Sequence, residues 1–248
     1  MPRLTKNDKG LATAILVLII VVVVAVIGVV VWQVTKKSPS TTASSTASTS
    51  TTKTVTVNAA CLKDFSDSKL CAFAEHTALS TMQYVAVGTA TNAAGTSTSF
   101  TVKSDGKGDK DITYMSGSEQ ISAVILDGIT YVQESAGGTW YEYTTGGSSF
   151  TAADPTLGFT FNFNQATAAG VSVTKEGTAA CGSLTCYKYK VIDSTIPGGT
   201  AYVYFDTNAY LLRQWTSTNT TTGISVNLTF SYPAVTITEP SPVQQTTT

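Results

Sequence analysis

The sequence predicts a mainly β domain (α+β), an antiparallel sheet with a covering helix, preceded by one N-terminal transmembrane helix. Three observations point there. A long uncharged apolar run lies near the N-terminus. A single helical stretch follows a low-complexity segment. After it, short segments alternate apolar and polar residues between turns rich in Gly, Asn and Asp.

The apolar run is LATAILVLIIVVVVAVIGVVVW, Leu11 to Trp32. It reaches the ~20 residues a helix needs to cross the bilayer core. Trp32 stands where an interfacial aromatic belongs. The run is longer than the apolar core of a signal peptide, and no A-x-A-like site follows, so a retained anchor over residues 11–33 is expected. Arg3, Lys6 and Lys9, offset by Asp8, precede it, and Lys36 and Lys37 follow. That slight bias puts residues 1–10 in the cytoplasm and the rest outside, periplasmic or at the cell surface. Residues 34–58 are Ser/Thr-rich and cannot bury a core, so they form a linker. About 20 such residues reach about 25 Å on average. The folded domain is expected over 59–240, and SPVQQTTT, 241–248, as a disordered tail.

The four cysteines fall into two close pairs, Cys61/Cys71 and Cys181/Cys186. Such pairs suit disulfides in an oxidising compartment, the competing reading being buried thiols. Spacings of C-x9-C and C-x4-C with the single His76 do not make a zinc ligand set.

Within the domain, DFSDSKLCAFAEHTALSTMQ reads as one helix with Ser66 as N-cap. Lys69 stands three on, so the capping box is incomplete. Leu70, Phe73, Ala74, Thr77 and Met82 form its apolar stripe. Strands follow at 82–91, 97–104, 110–117, 119–127, 129–135, 138–145, 171–177, 184–193, 200–206, 209–215, 223–232 and 234–239. Asp127-Gly128 is a two-residue hairpin turn, Ala136-Gly137-Gly138 a second, and Cys181-Gly182 opens a third. Residues 153–170 carry Phe159, Phe161 and Phe163 on alternate positions and read as an extended element able to plug one face of the sheet.

In GISVNLTFSY, Ile224, Val226, Leu228, Phe230 and Tyr232 point one way and Ser225, Asn227, Thr229 and Ser231 the other. Tyr187, Tyr189 and Val191 alternate in the same way with Lys188 and Lys190. AYVYFDTNAYLLRQW departs from this. Tyr202 and Tyr204 share one face, Val203 and Phe205 the other, and both look dry.

A net charge of -1 with 12% charged residues excludes a basic nucleic-acid face. His76 lies within the helix, and no G-x-S-x-G, H-E-x-x-H or G-x-x-x-x-G-K-[ST] occurs. Asp105, Asp109 and Asp111 in SDGKGDKD lack an EF-hand's spacing and closing Glu, and read as a polar hairpin turn. No catalytic residue, metal or cofactor is expected.

DGITYVQESAGGTWYEY, then CYKYKVIDSTIPGGTAYVYFDTNAYLLRQW, then VNLTFSYPAVTITEPSPV resemble the LolA-like and LppX-like lipoprotein-carrier superfamily. The shared signs are a DG hairpin leading to Trp-Tyr, a Y-x-Y strand, a Phe-Asp turn into a Leu-rich strand and a final V-x-I-x-x-P, over about 87–242. They are turn and strand patterns. The resemblance implies a curved, unclosed antiparallel half-barrel whose hollow is covered by helices, and a role in holding acyl chains or lipid-anchored proteins. It carries no individual ligand residue onto this chain, and an anchored version departs from freely shuttling carriers.

The expected function is a membrane-tethered, non-enzymatic, extracytoplasmic binding module for a lipid, a glycolipid or the acyl chain of a lipoprotein. Its expected lining is Tyr187, Tyr189, Tyr202, Tyr204, Ile224, Val226, Leu228 and Phe230. The alternative is a ligand-free cell-surface structural or protein-interaction domain on a flexible stalk.

Overall fold

The structure, a computed structural model, describes residues 59–76, 79–143, 171–194 and 196–245. The expected anchor at 11–33, the linker at 34–58 and the Phe159–Phe163 element lie outside these residues. Among the described residues no helix is long and apolar enough to cross a membrane.

Two short helices open the domain, α1 (Ala59–Phe65) and α2 (Ser68–His76), followed by a single 3-10 turn at Leu79–Thr81. One helix capped at Ser66 was expected here; α1 before it was not, and α2 ends at His76 with a 3-10 turn after it. Ser66 has a left-handed backbone (φ 52), and its N–H bonds back to Leu62 O at 2.8 Å to close α1. The cap of α2 is Asp67 rather than Ser66. Asp67 Oδ1 accepts from the N–H groups of Lys69 and Leu70 at 2.9 and 3.1 Å, satisfying donors that a helix start leaves unpaired. The Cys61–Cys71 disulfide ties the two helices together.

Among the described residues twelve strands follow: β1 (Gln83–Thr91), β2 (Ser97–Asp105), β3 (Lys110–Ser116), β4 (Glu119–Leu126), β5 (Ile129–Gln133), β6 (Trp140–Tyr143), β7 (Val171–Cys181), β8 (Leu184–Asp193), β9 (Gly199–Asp206), β10 (Leu212–Asn219), β11 (Ile224–Ser231) and β12 (Val243–Gln245). They form one curved, unclosed sheet in the order β12-β6-β5-β4-β3-β2-β1-β11-β10-β9-β8-β7. Neighbours in sequence pair antiparallel wherever a short turn joins them, as hairpin geometry requires. The exception at the centre is β1, which pairs with β11 and so brings an early and a late strand of the domain together.

The expected turns recur. Asp127 (φ 51) and Gly128 (φ 80) both adopt the positive φ of a type I′ hairpin. The Cys181–Cys186 disulfide closes the β7–β8 turn. In the β2–β3 turn Asp105 Oδ1 accepts from the N–H groups of Lys107 and Asp109, so this carboxylate shapes the turn.

The C-terminal end differs from expectation. AVTITE is not a strand, and the expected disordered tail supplies β12, which pairs parallel with β6. To reach β6 from β11 the chain must cross roughly 30 Å of sheet at ~4.8 Å per strand, so residues 232–242 are used up in an extended crossing. On the way Val235 N–H donates to Gln83 Oε1 at 3.3 Å. Farther on, burial and then the Glu239 charge push the Tyr131 phenol up. Val124 and Tyr131 are accordingly buried although they lie on the outer side of β4 and β5.

Candidate functional site

Cross-strand register brings every second residue of neighbouring strands into rows on one face. One row runs Tyr189, Val203, Trp215, Leu228, Gly88, Phe100 and Tyr114 from β8 across to β3. The next runs Phe230, Ala86, Val102, Ile112, Ala123 and Val132 from β11 to β5. Nearly all of these side chains are buried, and together with Leu70, Phe73 and Leu79 they form the core. The opposite rows are hydrophilic. Tyr202, Thr216, Asn227, Thr89 and Ser99 follow one another from β9 to β2.

Gly88 lets this inner face close up. A Cβ there would lie 2.5 Å from Asn227 O and 2.7 Å from the Phe100 ring. The glycine therefore gives the Phe100 ring and the β11 backbone their positions.

Of the expected lining residues, Tyr187, Tyr189, Ile224, Val226, Leu228 and Phe230 belong to the inner face and its core. Tyr202 and Tyr204 do not. They register with Lys190 and Lys188 of β8 and with Thr216 and Gln214 of β10, on the outer face. Lys188 Nζ sits 4.3 Å from the centre of the Tyr202 ring, which occupies that tyrosine from outside. A phenol has a polar end to offer water and Phe has none, so the sheet turns Val203 and Phe205 inward. The lining expected from the sequence omitted Val203, Phe205, Phe100 and Tyr114. The alternation of STSFTVKS against its Ser and Thr was the signal for Phe100.

The β9–β10 connection is fixed by a buried acid. Asp206 Oδ1 accepts from Asn208 and Ala209 N–H, and Oδ2 pairs with Arg213 Nε at 2.8 Å. Arg213 in turn stacks on the Tyr232 ring at 5.1 Å, and the Tyr232 hydroxyl donates to Leu212 O at 2.7 Å. The register shift between Leu212 and Gln214 and the positive φ of Tyr210 aim Tyr210 and Leu212 at the core.

α2 lies over the β8–β9 half of this face. Phe73 stacks on Phe205 with ring centres 4.4 Å apart and planes 1° from parallel, and both side chains are fully buried. Tyr189 and Tyr187 pack on Phe205 from the strand side at 5.2 and 5.5 Å. Around this apolar contact runs a polar seam. Tyr189 Oη donates to Asp67 Oδ2 at 2.6 Å, and Lys175 Nζ stands 3.8 Å from the same oxygen. Burial, then the Asp67 hydrogen bond, push the Tyr189 phenol up, so it remains the donor. Burial alone would raise Asp67. The Tyr189 hydrogen bond, the two backbone N–H groups and the Lys175 charge outweigh it and hold Asp67 below its ordinary value. In the first turn of α2, Lys69 Nζ donates to Tyr210 Oη at 3.0 Å, which holds its ammonium above the usual lysine range.

No protein-family model matches the sequence, and no curated protein matches it. Among solved structures the chain is similar to lipoprotein LppX of Mycobacterium tuberculosis, at TM-score 0.46 and 13% identity over 67% of this chain and 97% of that one. It is similar to MucB at TM-score 0.43 and 13% identity, over 68% of this chain and 57% of MucB. A LolA superfamily protein from Nitrosomonas europaea shares 9% identity at TM-score 0.23, over 60% of this chain and 83% of that one. Each of these is a likeness of fold at low identity.

Proposed function

We propose that the domain binds an apolar ligand, a lipid, a glycolipid or the acyl chain of a lipoprotein, between the inner face of its sheet and the α1–α2 lid. The observation that carries this reading is the seam. One apolar face runs across the sheet, and over its β8–β9 half lies a small, disulfide-tied lid held at its edge by Asp67–Tyr189 and Lys69–Tyr210. Those hydrogen bonds can be exchanged for water when the lid lifts. The Phe73 ring then leaves a slot beside Phe205 that an acyl chain fills with equivalent contacts. The role is binding rather than catalysis.

In the same proposal residues 11–33 tether the domain to the membrane and 34–58 give it freedom to tilt, with the domain outside the cytoplasm. Two disulfides suit that compartment. One observation favours the alternative of a ligand-free surface domain: Phe73 and Phe205 already fill the space between lid and sheet. Purification from a membrane-containing host followed by lipid mass spectrometry separates the two. Stoichiometric co-purifying lipid, or saturable binding of a fluorescent fatty-acid probe, is expected. A protein that carries no lipid and binds no probe is the ligand-free alternative.

A further inference from the structure

The rim of the lid contains more positive charge than the lid's attachment uses. Lys69 projects from the first turn of α2 and Lys175 from β7, beside the register shift at Lys175/Gly177. Lys69 Nζ lies 5.5 Å from the centre of the Tyr210 ring, and Lys175 Nζ 5.6 Å from that of Tyr187. The two tyrosine rings are nearly parallel, 5° apart in plane, with centres 6.4 Å apart. Each also touches Phe205, at 5.5 Å for Tyr187 and 6.4 Å for Tyr210. From the surface inward, the order is therefore ammonium, phenol, then buried phenyl.

The carboxylate at this rim is Asp67, and its oxygens are already engaged. Oδ1 takes two backbone N–H groups, and Oδ2 takes the Tyr189 hydroxyl at 2.6 Å. Lys175 reaches it only at 3.8 Å, and its side chain stays 48% exposed. An ammonium carries three N–H donors. Lys69 directs one to Tyr210, and no other acceptor for it is found among the described residues. Two cations thus stand beside one carboxylate that already accepts three hydrogen bonds, at the place where an amphiphile under the lid would leave its polar end.

We propose that this rim, Lys69 and Lys175 with Tyr187 and Tyr210, selects apolar ligands whose polar end is a carboxylate or a phosphate. The inference rests on the binding function proposed above and names its ligand class. The apolar chain enters beside Phe205. The anion takes charge-assisted hydrogen bonds from the two ammonium groups, and the phenols donate or accept around it. Neutral lipids of equal chain length gain the burial without the charge pairing. The rim therefore discriminates by headgroup and leaves chain affinity unchanged.

The test uses the full-length protein loaded with the neutral reporter 1-N-phenylnaphthylamine. Oleic acid, methyl oleate and oleyl phosphate are compared as displacers. Oleate or oleyl phosphate is expected to displace the reporter at about tenfold lower concentration than methyl oleate. The stronger of the two anions tells a fatty-acid headgroup from a phospholipid one. In the double variant Lys69→Gln/Lys175→Gln the ratio of the oleate to the methyl oleate displacement concentration is expected to rise to about one, whatever the loss of the lid contact of Lys69 does to both, and reporter binding shows that the variant is folded. Lys188→Gln, on the outer face, is expected to keep the preference. Equal displacement by oleate and methyl oleate in the wild type overturns the inference and leaves the binding function standing. So does a preference that survives in the double variant. Absence of reporter binding and of displacement by every lipid overturns both.

Discussion

Replacing Phe205 with Ala tests which side of the β9–β10 hairpin faces the hollow. Phe205 is fully buried and meets four aromatic rings from α2, from β8 and from the β9–β10 turn, at 4.4, 5.2, 5.5 and 6.4 Å. Truncating a core Phe to Ala costs about 3–5 kcal/mol. Each aromatic pair adds about 0.5–1.5 kcal/mol beyond the area it buries. The rings around Phe205 are held by a disulfide-tied lid and a paired strand, so they cannot readily collapse into the space. A loss near the top of that range, about 4–5 kcal/mol, is expected. Its neighbour Tyr204 lies on the outer face beside Lys188 and Gln214 and is half-buried. Tyr204→Ala should cost less than about 1 kcal/mol, as surface changes do. In urea unfolding of the full-length protein, with a slope of about 2 kcal/mol per molar, Phe205→Ala should lower the midpoint by about 2 M. Tyr204→Ala should lower it by less than about 0.5 M. Equal shifts, or the reverse order, would refute the assignment of Val203 and Phe205 to the inner face.

Two further outcomes follow from the same packing. Gly88→Ala should destabilise by about 1–3 kcal/mol in the same titration, because the added methyl meets the Asn227 carbonyl and the Phe100 ring; a neutral or stabilising effect would mean that β11 can move away. Asp67 is held below its ordinary value, so its contribution is complete above the unfolded carboxylate pKa of about 3.9 and is lost as pH falls through the lower folded value. The stability advantage of the wild type over Asp67→Asn should therefore hold at about pH 5–7 and shrink towards about pH 2, and an advantage that first fades near pH 6 would assign the linkage to another group.

Much of the sheet was legible in the residues. Strict alternation in GISVNLTFSY leaves one side for the core, and Ile224, Val226, Leu228 and Phe230 are buried there. Asp127-Gly128 supplies positive φ at both turn positions, so β4 and β5 had to form a hairpin. The close cysteine pairs are bridged as their spacing indicated. Elsewhere local patterns competed. The stretch with the Leu70 and Phe73 stripe is helical as read, but the short helix before it, turned at the left-handed Ser66 and tied to it by the Cys61–Cys71 bridge, was not read from the residues. AVTITE has every mark of a strand, but it crosses the sheet instead of pairing, and its continuation pairs with β6. Neither outcome has a signal within a few residues of the segment concerned.

The opening of the site depends on the same distinction. By itself the sequence determined that β9 has two faces and that residues 202 and 204 share one while 203 and 205 share the other, because side chains alternate with a period of two. It did not determine which face turns inward, since tyrosines and a Val-Phe pair are both apolar enough to be buried. Only the tertiary structure decided that. β8 brings Lys188 and Lys190 into register with Tyr204 and Tyr202, and burying those ammonium groups would cost far more than leaving two phenols wet. Phe205 then meets Phe73 of the lid, a contact between residues far apart in sequence that no local pattern encodes.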